Sequence, residues 1–283
     1  MRLGYHMPTS GGYTRQLSIA TEIGAECLQV FVGSPTTWRM SAPDAAALGS
    51  SADLVRDAGI FPLVVHGAYL INMASKDEDN FRKSHDLIQE SLHRASLLRA
   101  PYLVIHVGSH GGAGLEYGYE RISEMLESLR TDWPDDVCLL LENTAGSGNT
   151  IGSSFQELGE IRRRAGDPPW IGICLDTCHA FSAGYPVNDS KGWRETLDIF
   201  DAVIGLSALK ILHLDDSLTP FASRKDRHAN IGEGSIGVGG FRAMMTMTAL
   251  VGLPGILETP DNGDYAGYRR DISLLKQLRL ESA

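Results

Sequence analysis

The stretch from residue 211 to residue 237, ILHLDDSLTPFASRKDRHANIGEGSIG, contains side chains that can bind a divalent metal. An apolar segment ends on His213, and a basic loop then carries Asp226 and His228 two residues apart. Residues two apart on an extended segment point to the same side. Imidazole and carboxylate form a ligand set typical of zinc once a neighbouring segment adds another imidazole. Taken alone, this stretch is better explained as a polar surface loop beside a core histidine.

The same pattern, an apolar segment that ends on His, Asp or Glu, recurs along the chain. Its terminal residues are His66, His106, Glu142, Asp176, His213 and Glu258, and the loops add His179, Asp226 and His228. Four carboxylates buried together would be too costly without cations to balance them. Nine ligands exceed what one tetrahedral zinc needs, so the pattern indicates two or three metal ions that share one carboxylate.

Eight apolar segments alternate with eight segments of helical periodicity, at spacings of roughly 30 to 40 residues. The apolar segments lack strand-type alternation, which is typical of a parallel sheet covered on both faces. The predicted strands span 3–7, 27–32, 61–66, 102–106, 137–142, 170–176, a seventh that ends on His213, and 255–258. The predicted helices span 14–23, 43–58, 78–98, 116–129, 154–164, 193–204, 241–250 and 265–280.

This order predicts an α/β fold, a (β/α)8 TIM barrel, as a single domain over residues 1–283. The carboxyl ends of all strands in such a barrel meet on one face, where the active site lies. We therefore expect the nine candidate ligands to converge on that face.

The composition is that of a globular protein with a large core, since 43% of the residues are hydrophobic and 21% are charged. No apolar run reaches the roughly 20 residues that a membrane-spanning helix requires. The N-terminal sequence MRLGYHMPTSGG lacks the apolar segment of a signal peptide, so we expect a cytoplasmic protein. Cys27, Cys138, Cys174 and Cys178 lie in or beside apolar segments, which indicates buried thiols and not a disulfide framework.

The formal net charge of −10 argues at first sight against a nucleic-acid partner. Carboxylates that bind metal ions, however, no longer act as free negative charge. Three divalent ions would reduce the net charge from −10 to −4. Local basic segments therefore matter more for DNA binding than the total charge does.

Seven segments resemble, in order, the motifs of the endonuclease IV family, namely HGAYLIN (66–72), HVGSH (106–110), LENTAGSG (141–148), CLDTCHAFSAGY (174–185), HLDDS (213–217), DRHANIGEGSIG (226–237) and LETP (257–260). The resemblance spans nearly the whole chain. Members of this family are zinc-dependent apurinic/apyrimidinic (AP) endonucleases of base-excision repair, built on a xylose-isomerase-like TIM barrel. The resemblance implies hydrolysis of the phosphodiester 5′ to an abasic site in double-stranded DNA, which leaves a 3′-hydroxyl and a 5′-deoxyribose phosphate.

The resemblance also implies three zinc ions per chain and no organic cofactor, with manganese left open at one position. The first ion would be held by His66, His106 and Glu142. Glu142 would bridge to the second ion, which is completed by Asp176, His213 and Glu258. The third ion would be held by His179, Asp226 and His228. Clustered metals can activate water, neutralise phosphate charge and stabilise the leaving alkoxide, and Glu142 would serve as the catalytic proton acceptor.

Binding of DNA is expected from the loops on the same face, because an enzyme that acts on an abasic site extrudes the damaged nucleotide. Tyr69 and Leu70 match the family positions that insert into the duplex, although a bulky pair in such a loop otherwise packs as core. The remaining candidates for contacts with DNA are Asn72, Ser109, His110, Arg224, Lys225 and Arg227, and Asn72 and Trp38 are candidates for lining the site. Hydrogen bonding within their loop is an equally good explanation for Ser109 and His110. We expect a monomer, since one barrel carries its own complete site.

Three positions depart from the family pattern. HVGSH stands where the family often has HPGSH, and HLDD stands where it has HLND, so Asp215 adds negative charge beside the metals. In the loop SPTTW (34–38), Thr36 stands where bacterial members often carry a wedging arginine, and Arg39 is the nearest arginine. These changes concern the contact with DNA and leave the predicted hydrolytic centre complete.

Two other classes of protein stay open. Sugar isomerases and epimerases of the xylose-isomerase-like superfamily share the barrel and bind metals through His, Glu and Asp, but they do not explain His179 or the pair Asp226 and His228. A non-catalytic zinc-binding or damaged-DNA-binding protein is the second alternative. A structural zinc site is closed by four ligands and needs no shared cluster, which argues against it.

Overall fold

The computed structural model describes residues 1–282, and eight parallel strands form a closed barrel at its centre. These strands are β1 (Arg2–His6), β2 (Cys27–Phe31), β3 (Leu63–His66), β4 (Tyr102–His106), β5 (Cys138–Glu142), β6 (Ile171–Asp176), β7 (Leu209–His213) and, after two short strands, β10 (Pro254–Leu257). They follow one another around the barrel in chain order, and β10 closes it against β1. The short strands β8 (Asp216–Ser217) and β9 (His228–Ala229) pair antiparallel outside the barrel.

Helices connect successive strands, as the sequence predicts. They are α1 (Tyr13–Ile23), α2 (Ala45–Asp57), α3 (Glu78–Leu97), α4 (Leu115–Leu129), α5 (Phe155–Arg164), α6 (Thr177–Ala183), α7 (Ser190–Val203), α8 (Gly237–Met245) and α9 (Ala266–Glu281). The helix predicted over 241–250 begins earlier and ends in a separate 3-10 turn at Thr248–Leu250. Within residues 1–282, every helix is too short or too polar to cross a membrane.

Helix α6 was not predicted, and its capping explains why it forms. The carboxylate of Asp176, the last residue of β6, accepts a hydrogen bond of 2.7 Å from the backbone N–H of His179. Gly184 ends the helix in a left-handed conformation, with φ of 108°. A candidate metal ligand thus starts the short helix that carries another candidate ligand.

The barrel interior contains an apolar layer, which we call the floor. The floor consists of the fully buried residues Cys27, Val64, Val104, Leu140, Cys174, Ile211 and Ile256. The strand β1 contributes Gly4, where a Cβ atom would overlap the carbonyl of Cys27. The floor therefore closes the barrel below the strand ends.

Side chains two residues apart on a strand point to the same face. Two residues beyond the floor, each strand accordingly presents a polar side chain to the interior, and we call this set the polar layer. The polar layer consists of His6, Gln29, His66, His106, Glu142, Asp176, His213 and Glu258. The barrel interior thus changes from apolar to polar within one repeat of the strand.

Candidate metal centre

The nine side chains predicted as metal ligands lie together at the carboxyl end of the barrel. They include three groups that match the ligand sets expected from the sequence, and within each group the ligand atoms lie within 4.8 Å of one another. These groups are His66, His106 and Glu142; Glu142, Asp176, His213 and Glu258; and His179, Asp226 and His228. Two overlapping groups meet the same distance, namely Asp176, Cys178 and His228, and Asp176, Asp215, His228 and Glu258. The structure therefore brings together the members of each ligand set expected from the sequence, while metal binding itself stays a prediction.

Glu142 lies between the first two groups and presents one oxygen to each. Its Oε2 lies 3.3 Å from Nε2 of His66 and 3.6 Å from Nε2 of His106. Its Oε1 lies 3.1 Å from Nδ1 of His213. Burial alone would raise the pKa of Glu142, but the imidazoles of His106 and His213 outweigh it and hold that pKa well below its usual range. Glu142 is thus a carboxylate placed to bridge two cations.

Backbone carbonyls orient two of the imidazoles. Nδ1 of His66 lies 2.7 Å from the carbonyl oxygen of Gly67, and Nδ1 of His179 lies 2.9 Å from that of Asn143. When Nδ1–H donates to these carbonyls, Nε2 of each ring carries the free lone pair. A hydrogen bond of this kind on the far nitrogen is the usual support of a metal-binding histidine.

The third group is held together by Asp226. Its Oδ1 lies 3.2 Å from Nε2 of His228, and its Oδ2 lies 3.2 Å from Nε2 of His179. Partial burial opposes ionisation, but the adjacent imidazoles of His179 and His228 keep the pKa of Asp226 well below its usual range. Its side chain is 53% exposed, so this group opens to the solvent side of the centre.

The loop that carries Asp226 and His228 returns to the barrel through Asp216. The carboxylate of Asp216 accepts hydrogen bonds from the backbone N–H groups of Gly232 (2.9 Å), Gly234 (3.1 Å), Ile236 (2.9 Å) and Gly237 (3.1 Å). A Cβ atom at Gly234 would overlap this carboxylate, which explains the glycine in the segment GEGSIG. Asp216 therefore closes the loop without belonging to a ligand group.

The centre contains buried polar atoms that no other group satisfies. Within residues 1–282, Oδ2 of Asp176, Oδ2 of Asp215 and Nε2 of His228 are buried and have no hydrogen-bond partner. Oδ2 of Asp176 lies 3.7 Å from Nε2 of His228. Unsatisfied buried acceptors are costly, and a shared cation would satisfy them. Imidazole nitrogens and carboxylate oxygens also form a donor set that suits zinc, so the residues fit divalent metals.

The charges of the centre lead to the same conclusion. Burial alone would lower the pKa values of His179, His213 and His228, but the neighbouring buried groups raise all three well above the ordinary value of 6.5. Burial raises the pKa of Asp176. Without a metal, the neighbouring carboxylates therefore favour the protonated form of these three imidazoles. A metal ion that binds the imidazoles must displace those protons.

Three residues of the centre were not assigned a role from the sequence. Nδ1 of His6 lies 3.1 Å from Oε1 of Glu258, and Gln29 contacts the same oxygen. Oδ1 of Asp215 accepts a hydrogen bond of 3.0 Å from the backbone N–H of Glu258 and lies 3.5 Å from Nδ1 of His228. The signal for His6 and Gln29 is their register, since both occupy the polar-layer position of their strands.

A cavity of about 630 Å³ lies over the centre and is lined in part by Phe31, Tyr69, His106, Asp226 and Glu258. The Tyr69 side chain is 60% exposed, and its ring meets Phe31 edge-on with centroids 5.3 Å apart. The neighbouring Leu70 is half-buried. Tyr69 therefore stands at the wall of the cavity as an exposed aromatic ring.

The other candidates for DNA contact differ in their surroundings. Oδ1 of Asn72 accepts a hydrogen bond of 2.9 Å from the N–H of Ser109, and its Nδ2 donates to the carbonyl of Ser109 at 3.0 Å. Ser109 Oγ donates to the carbonyl of Asn149 at 2.9 Å, and Nδ1 of His110 accepts from the N–H of Gly114 at 3.0 Å. These side chains organise the loops around the cavity, and their contact with DNA stays a prediction.

Basic side chains remain available on the loop before β9. Arg224, Lys225 and Arg227 are exposed, and within residues 1–282 none of them forms an ion pair with a carboxylate. The expectation that Trp38 lines the site is wrong. Its ring packs beside the ammonium group of Lys83 at 5.8 Å, at a separate surface depression, because the loop turns it toward α3.

Comparison with known proteins agrees with this geometry. Residues 17–278 match the model of a family described as a xylose isomerase-like TIM barrel. A protein of Halothermothrix orenii named probable endonuclease 4 is 42% identical over 279 residues, which cover 99% of both chains. The crystal structure of endonuclease IV from Thermus thermophilus superposes with a TM-score of 0.84 at 31% identity and covers 100% of both chains.

A D-tagatose 3-epimerase-like protein also superposes, with a TM-score of 0.75 and full coverage of this chain, but it is 19% identical. That likeness is one of fold alone. The higher identity along the whole length distinguishes the nuclease relatives from the epimerase-like protein. The chain therefore belongs to the endonuclease IV family of xylose isomerase-like TIM barrels.

Proposed function

We propose that this protein is a zinc-dependent AP endonuclease. It hydrolyses the phosphodiester 5′ to an abasic site in double-stranded DNA and leaves a 3′-hydroxyl and a 5′-deoxyribose phosphate. The observation that carries the proposal is the joining of three ligand groups through shared or adjacent residues under one open cavity. Three zinc ions would be held by these groups, with manganese left open at one position.

Zinc ions bound there would lower the pKa of a water molecule, neutralise phosphate oxygens and stabilise the leaving alkoxide. The protein's own contribution begins with Glu142, a carboxylate buried between two groups, which would serve as the proton acceptor. His66 and His179 are held in one orientation by the carbonyls of Gly67 and Asn143. The floor below them excludes water from the barrel interior.

The third group distinguishes hydrolysis of a phosphodiester from sugar isomerisation. A sugar isomerase needs one or two metals, which the first two groups can provide. His179, Asp226 and His228 form an additional cation site at the edge of the cavity, where a phosphate group can approach. Sugar isomerisation gives this group no role, so the epimerase alternative rests on the shared fold alone.

Recognition of DNA follows from the surface around the cavity. Tyr69 and the adjacent Leu70 would fill the space that the missing base leaves, since Tyr69 is exposed beside the centre. Arg224, Lys225 and Arg227 would meet backbone phosphates. Each barrel carries all nine ligands, so we propose that the protein acts as a monomer on its DNA.

The test combines metal analysis of the purified protein with incision of a labelled duplex that carries one abasic site. We expect about three zinc ions per chain and a single nick 5′ to the lesion. An undamaged duplex is the control and should stay intact. Two or fewer metals without incision would favour the sugar isomerase alternative. Three metals without incision would contradict the proposed substrate and retain the metal centre.

A further inference from the structure

Gln29 is a fully buried glutamine in the middle of the polar layer. It lies on β2, with β1 on one side and β3 on the other. Its carbonyl oxygen accepts a hydrogen bond of 2.7 Å from the N–H of Met7, so its backbone is fixed by the barrel. The side chain therefore starts from a rigid point and extends toward the candidate ligands of the second group.

The amide of Gln29 contacts two of those ligands at once. Its Nε2 donates a hydrogen bond of 2.6 Å to Oε1 of Glu258. Its Oε1 lies 3.0 Å from Nε2 of His213, which donates to it. With the amide reversed, its oxygen would face a carboxylate and its NH2 group would face the donating nitrogen. The surroundings thus select one orientation of the amide.

These two hydrogen bonds determine which atoms the ligands present to a metal. Because Nε2 of His213 holds a proton toward Gln29, Nδ1 is the ring nitrogen that can lose its proton and bind a metal, and it lies 3.1 Å from Oε1 of Glu142. Because Oε1 of Glu258 accepts from Gln29, its Oε2 remains free and lies 3.6 Å from the same Nδ1. Both free atoms point into the second group.

We propose that Gln29 is a positioning residue for the second metal: one amide fixes the tautomer of His213 and the rotamer of Glu258. The inference rests on the proposed metal centre but not on the identity of the substrate. His6 supports the arrangement, since its Nδ1 lies 3.1 Å from Oε1 of Glu258 and 3.0 Å from Nε2 of Gln29. Partners of this kind typically change metal affinity about 10- to 100-fold.

The chemistry of the position explains the residue type. A leucine or methionine would fill the volume but leave the proton of His213 without an acceptor. A shorter amide could not reach both His213 and Glu258 from the backbone of β2. Glutamine supplies one donor and one acceptor at the required separation.

The test compares Gln29→Met with Gln16→Met in the full-length protein. Gln16 is the other buried glutamine of the described chain that bridges two partners, and it bonds to the carbonyl of Ser10 and the hydroxyl of Tyr265, neither of which is a candidate ligand. Zinc content, the rate of zinc release to a chelator and the rise in Tm on adding zinc to the metal-free protein are measured for each. Incision activity is recorded separately.

For Gln29→Met we expect the loss of one zinc ion, or its release at least about tenfold faster, and a smaller rise in Tm with zinc. Gln16→Met should lower Tm equally with and without zinc and keep wild-type zinc release. A merely structural role for Gln29 predicts that same equal decrease, so wild-type zinc release and an unchanged zinc-dependent rise in Tm would overturn the proposal.

Two further results separate this inference from the proposed function. A wild-type protein that binds no zinc overturns both. A wild-type protein that binds zinc without cutting abasic DNA overturns the proposed activity alone, and the zinc measurements still decide the role of Gln29.

A second variant and a spectroscopic measurement keep the proposal testable if Gln29→Met does not fold. Gln29→Asn keeps an amide but shortens it, and it should shift zinc release in the same direction. In ¹⁵N-labelled zinc-loaded protein, the Nε2 proton of His213 should exchange with solvent faster in both variants than in the wild type, because its acceptor is lost or out of reach. Wild-type proton exchange together with wild-type zinc release in Gln29→Asn would overturn the proposal.

Discussion

The floor and the polar layer are separated by two residues on each strand, yet they differ in almost every physical property. The floor is apolar and fully buried, and its side chains contact one another. The polar layer contains imidazoles, carboxylates and one amide, and one of its buried oxygens, Oδ2 of Asp176, has no partner within residues 1–282. The apolar floor needs no polar partners, whereas the polar layer leaves a buried oxygen without one in the described part of the chain.

This difference separates the two tasks of the molecule. Burial of close-packed apolar groups provides stability and holds the strand ends in place. The same rigidity lets the strand ends keep like charges close together, which a flexible surface would allow to separate. The comparison predicts that changes to the floor reduce stability, whereas changes to the polar layer reduce metal binding and activity.

The largest effect should separate two neighbours on β5. Glu142→Gln keeps the shape of the side chain but removes the bridging charge and the proton acceptor, and we expect incision to fall by at least about 1,000-fold. Leu140→Ala, two residues earlier, should lower the free energy of unfolding by about 2–5 kcal/mol because it leaves a cavity. Incision per folded molecule and chemical denaturation are measured for both.

The pair of variants is its own control. Glu142→Gln should unfold at a denaturant concentration near that of the metal-free wild type. If Leu140→Ala lost activity per folded molecule as severely as Glu142→Gln, the separation of tasks between the two layers would be wrong.

The pH dependence of the metal-free protein near neutral pH should come mainly from the candidate metal centre. His179, His213 and His228 have pKa values above their ordinary 6.5, so their contribution to stability is complete below pH 6.5 and is lost as the pH rises through the raised values. The pKa values of Glu142 and Glu258 are lowered from 4.5, so their contribution is lost only as the pH falls through those low values. In EDTA we therefore expect Tm to decrease from about pH 6 to pH 9.

Zinc-loaded protein is the control for this titration, because metal ions replace the protons between the carboxylates. Its Tm should change little over the same range. A metal-free protein whose Tm rises with pH would contradict the assignment of charge in the centre. Scanning calorimetry at several pH values, with and without EDTA, gives both curves.

A smaller effect is expected at the rim of the cavity. Tyr69→Ala should weaken binding to an abasic duplex by about 1–3 kcal/mol through loss of stacking, with unchanged zinc content. Phe61→Ala is a matched control, because both side chains are 60% exposed and Phe61 lies just before the opposite end of β3. Fluorescence anisotropy in the Glu142→Gln background measures binding without cleavage. If Tyr69→Ala and Phe61→Ala changed the affinity for the abasic duplex equally, Tyr69 would have only a packing role.

The smallest effect should come from Thr36, which is exposed on the loop before α2. Thr36→Arg adds a cation where the family resemblance leads us to expect an arginine, and we expect at most about tenfold tighter binding to DNA. The slope of log K against log salt should steepen by about 0.9, since one more phosphate is neutralised. Thr36→Gln, which has length without charge, should leave the slope unchanged. An arginine variant with the wild-type slope would place this loop away from the backbone.

Much of the architecture could be predicted because its signals are local. The strand predicted over 102–106 has the same bounds as β4 in the structure, and β6 ends on Asp176 as predicted. A barrel brings the carboxyl ends of all its strands to one face. The apolar segments that end on His, Asp or Glu therefore place these residues together at that face. The convergence of the nine candidate ligands therefore followed from the sequence and one rule about where strand ends meet, whereas their division into three sets followed from the family resemblance.

The rest could not be predicted because it depends on register between distant strands. Gln29 appears in the sequence as a lone polar residue within an apolar strand, and glutamine is not a typical zinc ligand. The register of β2 with β1 and β3 places Gln29 in the polar layer, beside the candidate ligands, and this register cannot be read from the sequence. Trp38 was misplaced for the related reason that the direction of a loop is set by the elements it packs against.

Asp216 closes the loop that carries Asp226 and His228, and this closure can be followed by hydrogen exchange. Backbone amides bonded to a buried carboxylate exchange with solvent deuterium only when the loop opens. The amides of Gly232, Gly234, Ile236 and Gly237 share that one acceptor, so they should exchange together as a single opening unit. Deuterium uptake over residues 232–237 thus measures how often the loop that carries Asp226 and His228 opens.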